Sequence, residues 1–173
     1  TMRYKVSLIF SILWLLSSTC VFAQSRFPEP SEKYVNDFAA VLDSADAQTI
    51  RTALQELEKQ VGIEATVVTI GSMRGYGGNG GTIESFATEW FNSWGIGDGQ
   101  KNNGALILVA INDRKMRIEV GSGFGSTYDS RLKGIIDEKM TPDFRNGNYS
   151  LGITKGAIAM ATLLGGEQYE PKI

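Results

Sequence analysis

The chain has 173 residues, with 17 basic and 19 acidic side chains, one cysteine and no histidine. The absence of histidine excludes histidine bases and histidine-containing zinc sites, and a lone cysteine excludes a disulfide within the chain. The slight acidic excess argues against sequence-independent nucleic-acid binding, which needs a basic surface, so no nucleic-acid partner is expected.

Residues 1–23 have the pattern of a secretory signal peptide. A basic start is followed by the apolar run Val6–Leu16 and by Val21-Phe22-Ala23, which places small residues where a signal peptidase reads them. A membrane anchor is the weaker alternative, because a span needs about 20 apolar residues. A lipoprotein signal through Cys20 is also weaker, because no alanine or glycine precedes that residue. We therefore expect cleavage, loss of the only cysteine, and export to the periplasm or the extracellular space.

The predicted domain organisation is simple. Residues 24–33 hold two prolines and little periodicity, so they are predicted to be a linker. A single domain is expected over residues 34–166, which are enough for one sizeable core. Residues 167–173 are predicted to be a C-terminal tail.

The first half of the domain predicts a helix, a strand and a second helix. Tyr34–Leu42 is a short apolar segment expected to dock the N-terminus. Asp43 is predicted to cap a helix that ends at Gly62, and β-branched residues predict a strand over Ile63–Ile70. A flexible glycine-rich loop follows, and a second helix begins at Thr82. Its apolar face is formed by Ile83, Phe86, Trp90 and Trp94.

Two strands joined by a short turn follow the second helix. Leu106–Ile111 is apolar throughout, which predicts a central strand covered on both faces. Met116–Val120 alternates between apolar and charged residues, as in a strand with one wetter face. A third helix is predicted to begin at residue 126 or 127 and to end at Thr141-Pro142-Asp143.

A fourth helix is predicted over Asn148–Leu164. It is too short and too polar to span a bilayer, so no transmembrane helix is expected in the mature chain. The order α-β-α-β-β-α-α predicts an α/β fold, specifically a three-layer α/β/α sandwich with a small mixed β-sheet.

Polar loops before and after the strand pair form the leading candidate site. Two strands joined by a turn return the chain to the same end of the sheet, so these loops are expected to converge. Their carboxylate, amide and backbone oxygens suit Ca²⁺ and, less readily, Mg²⁺. The alternative is that asparagine and glycine only build turns and that the aspartate at 129 favours a helix N-terminus. The predicted donors are Asp98, Asn102, Asn103, the Gly121–Gly125 backbone and Asp129.

Further contacts to a substrate or partner are expected from neighbouring loops. Gly121, Gly123 and Gly125 precede a helix and offer backbone amides, although they lack the spacing of a P-loop or a dinucleotide fingerprint. If Gly123 needs a positive φ, valine there will destabilise the loop. Asp113 and Arg114 lie in the turn at the opposite end of the strands, where Arg114 is a candidate partner for a carboxylate or phosphate.

An ordered series of short motifs between residues 34 and 164 resembles the TPM domain family. The motifs are Tyr34-Val35-Asn36-Asp37, Trp94-Gly95-Ile96-Gly97, Asn102-Asn103-Gly104, Asp113-Arg114-Lys115, Arg117–Gly123 and Pro142–Tyr149. This resemblance implies an α/β/α sandwich and a divalent cation site, which strengthens the case for the oxygen-rich loops. Some plant members are regarded as acid phosphatases, whereas other members look like accessory, chaperone-like or receptor-modulating modules.

The expected function is that of an exported TPM-domain accessory module that binds Ca²⁺ or Mg²⁺ and meets a protein partner. The alternative is a metal-dependent acid phosphatase, in which the cation holds phosphate and activates water. The loops supply no clear nucleophile and, beyond Lys101 and Arg131, no positive charge, so the module is preferred and no catalytic residue is assigned. The expected metal ligands are Asp98, Asn102, Asn103, Asp129 and Asp37.

Overall fold

The computed structural model describes residues 25–172, so the predicted signal peptide lies outside the described residues. Four strands and five α-helices are described, and short 3₁₀ segments connect several of them. The strands are β1 (Val35–Asp37), β2 (Ala65–Ile70), β3 (Ala105–Ala110) and β4 (Lys115–Val120). The helices are α1 (Ser44–Val61), α2 (Ile83–Trp94), α3 (Asp129–Ile135), α4 (Thr141–Arg145) and α5 (Tyr149–Gly165).

The sheet is mixed, and its strands follow in the order β1-β2-β3-β4. β1 pairs in parallel with β2, and β2 pairs in parallel with β3. β4 returns antiparallel to β3, with Ala105 opposite Val120. Helices cover both faces of this sheet, which confirms the predicted three-layer α/β/α sandwich.

β3 is the central strand, and every one of its residues is buried. Because successive side chains point to opposite faces, Ala105, Ile107 and Val109 lie in one core and the intervening residues lie in the other. The first core also contains Ile50, Leu54 and Leu57 of α1 and Ile153, Ala157 and Met160 of α5. The second core contains Phe27 and, from α2, Phe86, Ala87 and Trp90.

α1 and α5 pack together over the first core. α1 ends where the sequence predicts, at Gly62, whose φ of 72° is the left-handed conformation that glycine adopts readily. Asp43 precedes the helix, but its side chain makes no capping hydrogen bond. Its N–H donates instead to Oγ of Ser150 on α5, at 2.9 Å. Between residues 25 and 172, no helix is long and apolar enough to cross a membrane.

The short strand β1 is not anticipated by the sequence, which predicts only a docking segment there. Three residues are too few to display the two-residue period of a strand. The buried Asn36 holds this segment, because its Oδ1 accepts the N–H groups of Ser31 and Glu32 at 2.7 and 3.2 Å. Its Nδ2 donates to the Glu32 carbonyl at 2.9 Å.

The predicted linker and tail both pack onto the domain. The ring of Phe27 is 5% exposed and lies 4.5 Å, centroid to centroid, from that of Trp90. The Pro28 carbonyl accepts the indole N–H of Trp94 at 2.8 Å. At the other terminus, the hydroxyl of the buried Tyr169 donates to the Ala53 carbonyl at 3.1 Å. Single aromatic residues anchor these segments, so neither shows a periodic pattern.

The third predicted helix does not end at Pro142. α3 passes through a π-helical turn at Ile136–Met140 into α4, and Pro142 lies in the first turn of α4. The first turn of a helix is where proline is best tolerated, because its fixed φ suits the helix. The Ile136 carbonyl accepts the Thr141 N–H across the π turn, and the Thr141 hydroxyl donates to the same carbonyl at 2.9 Å.

Candidate functional site

Two loops lie against each other at one end of the sheet, Asp98–Gly104 before β3 and Gly121–Gly125 after β4. We call them the rim loops. The Gly121 N–H donates to the Gly104 carbonyl, and the Gly123 N–H donates to the Asn102 carbonyl, both at 2.9 Å. A Cβ added at Gly121 would lie 2.1 Å from the Asn102 carbonyl oxygen, so only glycine allows this approach.

Asp98 is the one carboxylate within the rim loops. Its Oδ1 accepts the Lys101 N–H at 2.9 Å and the Gln100 N–H at 2.8 Å. These two hydrogen bonds, the Lys101 amide first, lower the pKa of Asp98 below its usual value. No described residue hydrogen-bonds its Oδ2, and the side chain is exposed. Asp98 therefore offers an ionised oxygen to a ligand.

The two rim asparagines mainly build the turn. Asn102 has a φ of 48°, a left-handed conformation that asparagine tolerates better than most residues. Asn103 accepts the Asp98 N–H at 3.2 Å through Oδ1 and donates to the Gly62 carbonyl at 2.9 Å through Nδ2. Asn103 thus ties the rim to the end of α1.

Asp129 lies beside the rim, in a groove along β4. The lining of that groove includes Gly121, Gly125 and Arg117 but none of the polar side chains at 98, 102 and 103. Asp129 is exposed and begins α3. The neighbouring Arg131 places its guanidinium 5.9 Å from the ring centre of Tyr128.

Asp37 lies at the other end of the sheet. It ends β1, whereas Asp98 precedes β3, and both strands run in the same direction. Its carboxylate accepts the N–H groups of Val41 and Leu42 at 3.1 and 2.9 Å, and the Thr69 hydroxyl also donates to it. Asp37 therefore organises the turn into α1, and one ion cannot bind both Asp37 and Asp98.

The β3–β4 turn lies at the same end as Asp37. Asp113 accepts the Ser72 hydroxyl at 2.8 Å and the Met73 N–H at 2.7 Å, so it anchors the glycine-rich loop that follows β2. Arg114 has a φ of 53°, which is uncommon for a residue with a side chain. It lines a groove of about 440 Å³ with Arg145 and others: Met116, Thr141, Phe144, Gly147 and Tyr149.

Sequence reasoning did not assign Arg145 or Tyr149 to a site. Both belong to the Pro142–Tyr149 motif, and Arg114 belongs to a separate motif of the same resemblance. The two motifs were visible in the sequence, but their convergence on one groove was not. Finding it requires the position of α4 in the fold.

A family model, described as TPM domain, matches residues 35–163. The chain belongs to the TPM domain family. No curated protein matches it in sequence.

Solved structures share the TPM fold. The N-terminal domain of a P. gingivalis protein has a TM-score of 0.69 and 29% identity, over 82% of this chain and 87% of that domain. The N-terminal domain of cg2496 from Corynebacterium glutamicum has a TM-score of 0.58 and 14% identity, over 79% and 83%. BA42 from Bizionia argentinensis has a TM-score of 0.57 and 19% identity, over 76% and 88%.

The rim loops of this TPM domain offer carboxylate, amide and backbone carbonyl oxygens. These oxygens are of the type that Ca²⁺ and Mg²⁺ prefer, but only Asp98 carries a charge. Within residues 25–172, no three side chains among aspartate, glutamate, histidine and cysteine come together as a metal-binding group.

Proposed function

We propose that this TPM domain is an exported accessory module that binds Ca²⁺ or Mg²⁺ at the rim loops and meets a protein partner. The observation that supports the cation most directly is the state of Asp98. Its carboxylate is exposed, its pKa is lowered by two backbone amides, and one of its oxygens is free of described partners. Export is expected from the predicted signal peptide.

Asp98 would supply the charged ligand, and Asn102, Asn103 and exposed loop carbonyls would supply neutral oxygens. The ion would offset the charge of Asp98 and hold the two rim loops together. Because one carboxylate gives little charge, we expect a dissociation constant of about 10⁻⁴ to 10⁻³ M, as in weak extracellular Ca²⁺ sites. Asp129 and Asp37 lie outside this ligand set.

Asp98→Asn is expected to abolish saturable Ca²⁺ binding in calorimetry, because it removes the only charged ligand. Asp137→Asn is the matched control, since this exposed aspartate pairs with Lys133 on α3, outside the rim loops. Asp129→Asn is measured in parallel and is expected to bind like the wild type. Equal Ca²⁺ affinity in the wild type and in Asp98→Asn would contradict the proposal.

The same experiment has a pH dependence. Because the pKa of Asp98 is lowered, its carboxylate stays ionised at pH values below the usual pKa of aspartate. Ca²⁺ affinity is therefore expected to be constant at pH values above the usual aspartate pKa. It should fall only as the pH drops through the lowered pKa of Asp98.

The alternative, a metal-dependent phosphatase, is favoured by one observation. Arg114 and Arg145 line a common groove, and guanidinium groups bind phosphate well. No carboxylate lines that groove to act as a base or a metal ligand, so we prefer the module. Phosphate release from an aryl phosphate, with and without chelator, tests this preference. Chelator-sensitive turnover that is lost when Arg114 and Arg145 are both replaced by alanine would support the phosphatase instead.

A further inference from the structure

β4 is an edge strand whose outer side has no partner among the described strands. The Gly121 N–H bond to Gly104 continues the β3–β4 register, so odd-numbered residues of β4 face β3. Met116, Ile118 and Val120 therefore direct their N–H and C=O groups away from the sheet. Within residues 25–172, no other backbone group hydrogen-bonds to these outward groups. The outer side of β4 is thus a row of free donors and acceptors.

Three adjoining grooves follow this edge along its whole length. The first, about 310 Å³, lies by Val120 and Asp129, and the second, about 430 Å³, lies by Ile118. The third is the arginine groove of about 440 Å³, which shares Met116 with the second. We call these three grooves together the edge channel.

Helices from both faces of the sheet bound the middle of the edge channel. Glu84 belongs to the first turn of α2, and Lys133 belongs to α3, yet both line the second groove. α2 packs on the second core and α3 contributes Leu132 to the first. The channel therefore lies in the plane of the sheet, where a fifth strand would lie.

The two ends of the edge channel carry opposite charge. Arg114 and Arg145 lie at the start of β4, and neither forms an ion pair with a carboxylate in the described part of the chain. Asp129 lies at the end of β4 and likewise has no described ion-pair partner. A bound chain with its carboxylate at the arginines would run opposite to β4.

We propose that the edge channel binds an extended peptide, which adds to β4 as an antiparallel fifth strand with its C-terminal carboxylate at Arg114 and Arg145. Main-chain hydrogen bonds to Met116, Ile118 and Val120 supply the sequence-independent part of the binding. A basic residue near the peptide's start faces Asp129. This inference rests on the proposed interaction module, whose partner it specifies, and does not depend on the cation.

The test begins with a library of nine-residue peptides that have free C-termini, selected on the mature protein. Selected peptides are expected to slow hydrogen exchange at the amides of Met116, Ile118 and Val120. Amidation of the peptide C-terminus, or Arg114→Ala with Arg145→Ala, is expected to weaken binding about tenfold or more. Arg74→Ala is the matched control, since this exposed arginine lies on the loop after β2 and lines a separate groove.

Val120→Pro provides a second variant. It removes one outward N–H that is not part of the β3–β4 ladder, so the fold is expected to remain, as judged by circular dichroism, while peptide binding falls. The amidated peptide tests the same claim on the wild-type protein if this variant does not fold.

Three results would overturn the proposal. One is that no peptide is enriched, and another is that exchange protection falls outside β4. The third is concentration-dependent self-association through β4 without peptide, which would make the edge an interface between two copies. Calorimetry with Ca²⁺ on the same sample measures cation binding independently of the peptide. A failed peptide test is therefore distinguished from a failed cation proposal.

Discussion

Trp90→Ala is expected to lower the free energy of unfolding by about 3–5 kcal/mol, the usual range for removing a buried aromatic side chain. Trp90 is fully buried at the centre of the second core. Its ring lies 4.5, 5.2 and 5.4 Å from those of Phe27, Tyr76 and Trp94. The substitution therefore releases the N-terminal segment and the glycine-rich loop together. Urea unfolding measures the change.

A second substitution tests whether the loss of stability in Trp90→Ala comes from lost packing. Within residues 25–172, no atom accepts a hydrogen bond from the Trp90 indole N–H. Trp90→Phe should therefore destabilise the protein much less than Trp90→Ala, because it removes volume but breaks no hydrogen bond. A loss below about 1 kcal/mol for Trp90→Ala would contradict the described second core.

Gly121→Ala is expected to destabilise the domain by about 3 kcal/mol, at the upper end for overpacking. The new methyl group would lie 2.1 Å from the Asn102 carbonyl oxygen and 2.6 Å from its carbon. These are backbone atoms, so the rim loops must separate to make room. We also expect weaker Ca²⁺ binding, because the two rim loops would no longer be held together.

Gly99→Ala is the matched control for this substitution. Gly99 lies in the same rim loop, but a Cβ there meets no atom within 4 Å, and its φ is not positive. It should change stability by less than about 0.5 kcal/mol, as surface substitutions usually do. Equal melting temperatures for Gly121→Ala and Gly99→Ala would show that the rim loops are not locked together.

The layers of this fold could be predicted because their helices and strands are long enough to show a clear pattern of apolar residues. α1 displays four apolar positions on one face, and the unbroken apolar run of β3 indicates burial on both sides. β1 and the packed Phe27 could not be predicted, because three residues or one ring carry no period. Pro142 misled the prediction, because a proline ends one helix and begins another with the same local pattern.

The candidate site was predictable in its connectivity but not in its side chains. The order of the strands places the rim loops at one end of the sheet. The separation of Asp37 from Asp98 depends on β1, which has no recognisable sequence pattern. The prediction for valine at Gly123 was conditional on a positive φ there. The φ of Gly123 is not positive, and glycine is required there because a Cβ would lie 2.1 Å from the Lys101 carbonyl oxygen.

The most direct test of the rim as a cation site is a Ca²⁺ titration followed by amide chemical shifts in ¹⁵N-labelled protein. We predict that the largest saturable shifts occur in Asp98–Gly104 and Gly121–Gly125, and that Asp98→Asn removes them. Largest shifts at Val41 and Leu42, whose amides donate to Asp37, would contradict this account, as would no saturable shift at all.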